Sequence, residues 1–293
     1  MIFVIFTLPR LVAVLALSAL AACGAKPQIE QTPGVVAGYE AVDDGTIHIP
    51  AVQPKYLMED HRRAEVAYNG DDAPGSIVVD VYSRKLYWVM PDGRAVRYAI
   101  AVGREGTSFR GNGYIGRKAE WPSWTPTANM IRTRPDLYAE YAGGLPGGLE
   151  NPLGSRALYL YRGGRDTMFR IHGTIDNASV GLATSAGCIR LYNQDVMDLY
   201  TRAGNGTHVK VRSEAESVAL EGPYMDDAFG RAVPETEANI AKKAADEAAI
   251  VKAEADARAA AEKAEAKRLK QCKRKKIAAE DCPRPEAETA AAG

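Results

Sequence analysis

The chain has 293 residues, 37 of them basic against 37 acidic, and 8% are aromatic. A formal net charge of zero leaves no basic excess of the kind that draws a protein onto phosphate backbones, so nucleic acid is excluded as the expected partner. Less a leader and a tail, the length accommodates one core domain of roughly 100 to 150 residues.

The leader comes first. Arg10 precedes an apolar run from Leu11 to Leu20, which closes in Leu20-Ala21-Ala22-Cys23-Gly24. An apolar stretch of about ten residues ending in small side chains predicts a secretory signal over 1–22, too short to span a bilayer. Its end, 20–23, resembles a bacterial lipobox, which makes Cys23 the expected first mature residue and lipidation site. Gly24 in place of an aspartate points to the outer membrane, so the expected location is the periplasm, held by a lipid anchor. Residues 23–74 are rich in Pro, Gly and acidic side chains with little apolar alternation, and read as a lipid-anchored linker with one short strand at 46–52.

A compact domain is expected over 75–212. Ser76 to Tyr82 and Lys85 to Met90 are β-branched and aromatic strands about a Ser83-Arg84 turn, and Pro91-Asp92-Gly93 leads into a third strand from Arg94 to Val102. From Gly103 to Arg156 the sequence is dense in Gly, Pro and Trp, the composition of a long loop that walls or covers a site. One helix, broken at Pro135, is expected within 129–141. Strand pattern returns at 157–161 and at 167–171, delivering His172 at a strand end. Asn193 is placed to cap a helix over 194–202, and Thr207 to Val211 closes the sheet. The expected core is mostly β with short helices.

Residues 213–293 read as a linker and a long, charged helical tail. Pro234 stands where first-turn prolines belong, ahead of a run of Ala, Lys and Glu to Lys270. Ile240, Ile250, Val251 and Leu269 keep no heptad, so a separate solvated helix is expected rather than a coiled coil. Lys267 to Lys276 form a basic cluster at its end.

The four cysteines carry more information than their number suggests. In an oxidising compartment Cys23 takes lipid and Cys272 can pair with Cys282 as a disulfide, which leaves Cys188 as an odd thiol better explained by chemistry than by packing. Its neighbourhood agrees. Ile171-His172-Gly173-Thr174 is followed, one short loop later, by Ser185-Ala186-Gly187-Cys188-Ile189-Arg190. A thiol attacks as thiolate, and an imidazole within reach takes its proton. Gly187 lets the N–H groups of Gly187 and Cys188 turn toward a developing oxyanion. Arg190, two residues on, points to the same side and either forks a carboxylate or pairs with Asp195 or Asp198.

Ser185, Thr174, Tyr159 and Trp121 are further candidates for substrate contact. Turn capping is the alternative for Ser185, and core packing for the aromatics. His48, His61 and His208 lack matching neighbours and are expected to be structural or at the surface. No further Cys or His stands at ligand spacing from His172 and Cys188, so neither a metal nor a cofactor is expected.

His172-Gly173-Thr174, Gly181, Ser185 to Arg190, Asn193 and Asp195 together resemble the signature of the L,D-transpeptidase (YkuD-type) catalytic domain. Trp124 to Thr127 and Asn151 to Leu158 look like members from Gram-negative bacteria, and the lipobox at 20–23 makes an exported lipoprotein member the expectation. The resemblance implies a YkuD-like β-sandwich with a long active-site loop region and the cysteine at the mouth of a groove. It further implies acyl transfer on peptidoglycan stem peptides. Cys188 attacks the bond between the diamino acid and D-Ala, D-Ala leaves, and an amine of another stem or of a wall-attached outer-membrane protein resolves the thioester. His172 is then general base and acid, the Gly173 carbonyl orients its ring, and Gly187 supplies the oxyanion backbone. Ala186 stands where many members carry a second histidine, leaving the acid–base work to His172. A hydrolase on the same substrate and a non-catalytic peptidoglycan-binding lipoprotein are the alternatives.

Overall fold

The computed structural model describes residues 34–103, 109–185, 187–278 and 282–283, so the leader and the expected lipidation site Cys23 lie outside it. The chain opens with β1 (Val42–Asp44), β2 (Ile47–Ile49) and β3 (Ala64–Ala67). The meander β4 (Ile77–Asp80), β5 (Lys85–Met90) and β6 (Arg94–Ala99) follows, then β7 (Val102–Gly103) and β8 (Gly111–Glu120). Two short helices, α1 (Ala128–Thr133) and α2 (Pro135–Tyr138), precede β9 (Arg156–Arg162), β10 (Arg165–Thr174), β11 (Ala183–Ser185) and β12 (Ile189–Tyr192). The remainder is α3 (Asn193–Arg202), β13 (His208–Val211), α4 (Glu214–Glu221), the hairpin β14 (Tyr224–Asp226) and β15 (Ala232–Pro234), and α5 (Glu237–Arg274).

Among the described residues nine strands hydrogen-bond in the order β12-β10-β9-β8-β13-β4-β5-β6-β3. One core joins Val96 and Tyr98 of β6 to Ile189 and Leu191 of β12, which lie near opposite ends of that order. A flat sheet could not bring them together; this one folds over itself, and Ala101 and Arg190 exchange backbone hydrogen bonds at 2.9 Å in both directions where the ends meet. The result is the mostly β domain expected, with its short helices and separate terminal helix.

Three expectations are corrected. The linker expected over 23–74 is, from residue 34 onward, built into the domain. Tyr39, Val52 and Leu57 are buried with Ala99, Val180 and Tyr192, and the Gln194 amide donates to the carbonyls of Glu40 and Pro50 at 3.0 Å. Isolated apolar residues that bury against distant strands leave no periodic trace in sequence. The long loop expected from Gly103 to Arg156 contains β8, ten residues that pair with both β9 and β13. Lastly, Asn193 does not cap α3 but is its first residue, and its Oδ1 accepts the Ser155 N–H at 2.9 Å.

The tail is likewise docked at its start. Ser213 and Glu216 form a reciprocal capping box on α4. Pro234 ends β15 rather than opening the helix, and the Thr236 side chain caps α5 by accepting from the Asn239 N–H. Among the described residues no helix is long and apolar enough to cross a membrane.

At the end of β4, Asp80 is fully buried. Its carboxylate accepts from the N–H of Tyr82 (3.1 Å) and Ser83 (2.9 Å), from the Ser217 hydroxyl (2.9 Å), and from Arg212 (3.2 Å). Arg212 also reaches Glu221 at 2.8 Å. Removing one partner of such a buried pair leaves an uncompensated charge. Arg212→Met is therefore expected to destabilise the protein by about 3–5 kcal/mol, read as a lower urea midpoint, with the double variant Asp80→Asn/Arg212→Met recovering part of the loss.

Candidate active site

The strands β10 and β12 are parallel neighbours with Ile171 opposite Ile189, His172 opposite Arg190, Gly173 opposite Leu191 and Thr174 opposite Tyr192. Side chains alternate along a strand. Ile171, Ile189 and Leu191 enter the core, so His172 and Arg190 project to the other side with Arg170 two residues back on β10, while Cys188 stands immediately before β12 with its sulfur against the Arg170 backbone N–H.

His172 is 3% exposed, and its Nδ1 lies 2.7 Å from the Gly173 carbonyl oxygen. A carbonyl only accepts, so Nδ1 carries the proton and donates, and Nε2 keeps its lone pair. The close packing beside the ring fixes residue 173 as glycine: an added Cβ would stand 2.2 Å from Asn193 Oδ1. Gly187 lies at φ +126°, a left-handed conformation that favours glycine.

Burial dominates the electrostatics. It pushes the His172 imidazole down to about 3, with Arg190 and Arg170 adding to the fall and the Gly173 carbonyl opposing it. It pushes the Cys188 thiol up, while the backbone N–H of Arg170 and the charges of Arg170 and Arg190 pull it back. Both shifts favour the neutral imidazole and the neutral thiol.

The other site candidates fall into two groups. Arg190 forms no ion pair with Asp195 or Asp198; Asp195 is taken by Arg63 at 3.2 Å and Asp198 by Arg202 at 2.8 Å. The Nε of Arg190 is buried without a protein partner among the described residues. By contrast, Thr174 is buried and its hydroxyl accepts the Asp176 N–H at 3.0 Å, so it shapes the turn. Tyr159 is 5% exposed, its ring flanked by the guanidinium groups of Arg117 and Arg170 at 3.5 and 4.3 Å. The Trp121 indole N–H donates to Asp44 at 2.8 Å, beside the Asp44–Arg156 ion pair. Ser185 ends β11, which pairs with β7. Cys272 and Cys282, with Cα atoms 5.8 Å apart, form a disulfide far along the chain from the site. Among the described residues no three His, Cys, Asp or Glu gather as a metal site.

Two arginines of the site escaped the sequence reading. Arg170 is held by a two-pronged pair with Asp166, at 2.7 and 3.0 Å, and its backbone N–H lies against the Cys188 sulfur. The alternation that singled out Arg190 would have found it. Arg84, in the β4–β5 turn at φ +54°, donates to the carbonyls of Gly181 (3.1 Å) and Gly230 (2.7 Å) and pairs with Asp226 at 2.5 Å. It thus ties the loop leading to Cys188 to the β14–β15 hairpin. Arg84→Ala is expected to cost about 2–4 kcal/mol of stability and to change the rate at which iodoacetamide alkylates Cys188 in the folded protein.

Comparison with known proteins bears on this arrangement directly. Residues 74–211 match the YkuD family, the L,D-transpeptidase catalytic domain. A putative L,D-transpeptidase from the ATP synthase subunits region of Fuscovulum blasticum is 36% identical over 138 residues, covering 46% of this chain and 68% of the relative. The chain belongs to the YkuD L,D-transpeptidase family. A further YkuD relative, the probable L,D-transpeptidase ErfK/SrfK of Escherichia coli K12, is 35% identical over 144 residues, 48% of this chain and 45% of the relative. The chain thus spans about half the length of the first curated relatives it matches. A Brucella melitensis crystal structure, described as a probable carnitine operon oxidoreductase, is 46% identical and covers 52% of this chain and 95% of that one, with a TM-score of 0.38.

Proposed function

We propose that this YkuD-family chain is a peptidoglycan L,D-transpeptidase. Cys188 Sγ attacks the carbonyl between the diamino acid and D-Ala of a tetrapeptide stem as its proton passes to His172 Nε2. The tetrahedral oxyanion is met by the N–H groups of Gly187 and Cys188, and it collapses to a thioester as His172 returns the proton to departing D-Ala. An amine of a second stem, or of a wall-attached protein, then opens the thioester and regenerates the thiol. Arg190 is suited to fork a stem carboxylate.

The observation that supports this reading most is His172, its Nδ1 already committed to Gly173, on a strand paired in parallel with the one that directly follows Cys188. The experiment is to incubate the protein with tetrapeptide-bearing wall fragments and weigh the products. Cross-linked dimers lacking D-Ala support transfer. Tripeptides alone make water the acceptor, and unchanged fragments reduce the chain to a wall-binding protein.

Export and anchoring belong to the same proposal: a lipoprotein of a Gram-negative envelope, held in the periplasm at the outer membrane through Cys23. A mature N-terminal peptide starting at Cys23 with a lipid-modified sulfur supports it, and an intact 1–22 segment overturns it.

A further inference from the structure

The transpeptidase reading leaves α5 unused. Its 38 residues extend about 57 Å at the helical rise, and their charge is segregated. From Glu237 to Ala266 there are seven acidic and five basic residues; from Lys267 to Lys276 there are seven basic and no acidic ones. Along the shaft, Lys242 and Lys243 pair with Asp246 and Glu247 one turn on. At the tip only Arg268 is paired, with Glu265; the other six cations are exposed and form no ion pair among the described residues.

The disulfide gives this tip a defined back and front. Cys272 bonds Cys282, and Arg268 donates to the Cys282 carbonyl, so Cys282 lies against that side of the helix. At about 100° per residue, Lys267, Lys270 and Arg274 fall on the opposite side. A solvated spacer needs neither segregated charge nor a bridge at its end. An exposed face of unpaired cations suits a surface of phosphate headgroups, where each nearby Lys or Arg adds favourably and salt weakens the sum.

We propose that the disulfide-closed tip of α5 docks on anionic phospholipid. The test uses the chain from Gly24 onward, produced without leader or lipid, and the same chain with K267Q, K270Q, K273Q, R274Q and K276Q in addition. Each is sedimented with phosphatidylcholine vesicles, with and without phosphatidylglycerol, and with isolated wall sacculi. The expected result is about tenfold or greater enrichment of the parent on anionic vesicles, lost in high salt and absent from the charge variant, whose Cys188 alkylation is unchanged. Equal sedimentation of both chains with anionic vesicles overturns the proposal, as does charge-dependent retention by sacculi without vesicle binding. Neither outcome depends on whether the wall-fragment assay finds transfer.

Discussion

Cys188→Ala is expected to lower kcat by about 10⁴-fold or more, since without the sulfur no thioester forms and the oxyanion donors alone cannot split the reaction into two steps. The thermal midpoint should barely move, because Cys188 is only half-buried and the change removes a single sulfur. The readouts are the wall-fragment assay and calorimetry on the same preparations. A strained acylating β-lactam of the carbapenem type should add its mass to the Cys188 peptide of the parent and leave the variant unmodified. Turnover that survives the substitution sinks the assignment of Cys188 as the nucleophile, and with it the thioester route.

The second large effect concerns His172. His172→Gln is expected to lower kcat/KM by about 10²–10⁴-fold through loss of the acid–base group. It should also change how stability depends on pH. The folded imidazole is held down to about 3 from an ordinary value of 6.5, so between those limits the unfolded chain binds a proton that the folded chain does not. Stability from this group is complete above about 6.5 and is lost as pH falls toward 3, at up to about 1.4 kcal/mol per pH unit. Urea midpoints measured from pH 7 to pH 4 should therefore fall less steeply in the variant. Cys188 gives the complementary signal: with the thiol pushed up and the imidazole neutral, alkylation should climb through the alkaline range without a plateau near neutrality. Parallel pH slopes for parent and variant, or such a plateau, would mean that the pair rests ionised.

What could be read from sequence, and what could not, divides along a physical line. β5 was legible because Lys85 to Met90 alternates and is β-branched and aromatic, and its bounds in the fold are the same residues. β8 was not, because Gly111, Gly113 and Gly116 interrupt any strand pattern; its order comes from pairing with β9 and β13, which are distant in sequence. Tyr39 and Leu57 looked like linker residues for the same reason, since their burial is decided by Tyr192 and Ala99. At the site, His172, Gly187 and Cys188 declared themselves through local spacing. Arg84 did not, because its value lies in reaching Gly181 and Gly230, 97 and 146 residues away.

The flanks on either side of the family segment carry a practical consequence. A chain trimmed to 74–211 would lose β3, baring the whole outer rim of β6, and an uncovered rim is a template for sticking to other molecules. It would also strip Asp80 of Ser217 and Arg212, inviting collapse of the turn that bears Arg84. For crystallisation or inhibitor screening, the smallest well-behaved piece is expected to run from about residue 34 to the end of the β14–β15 hairpin.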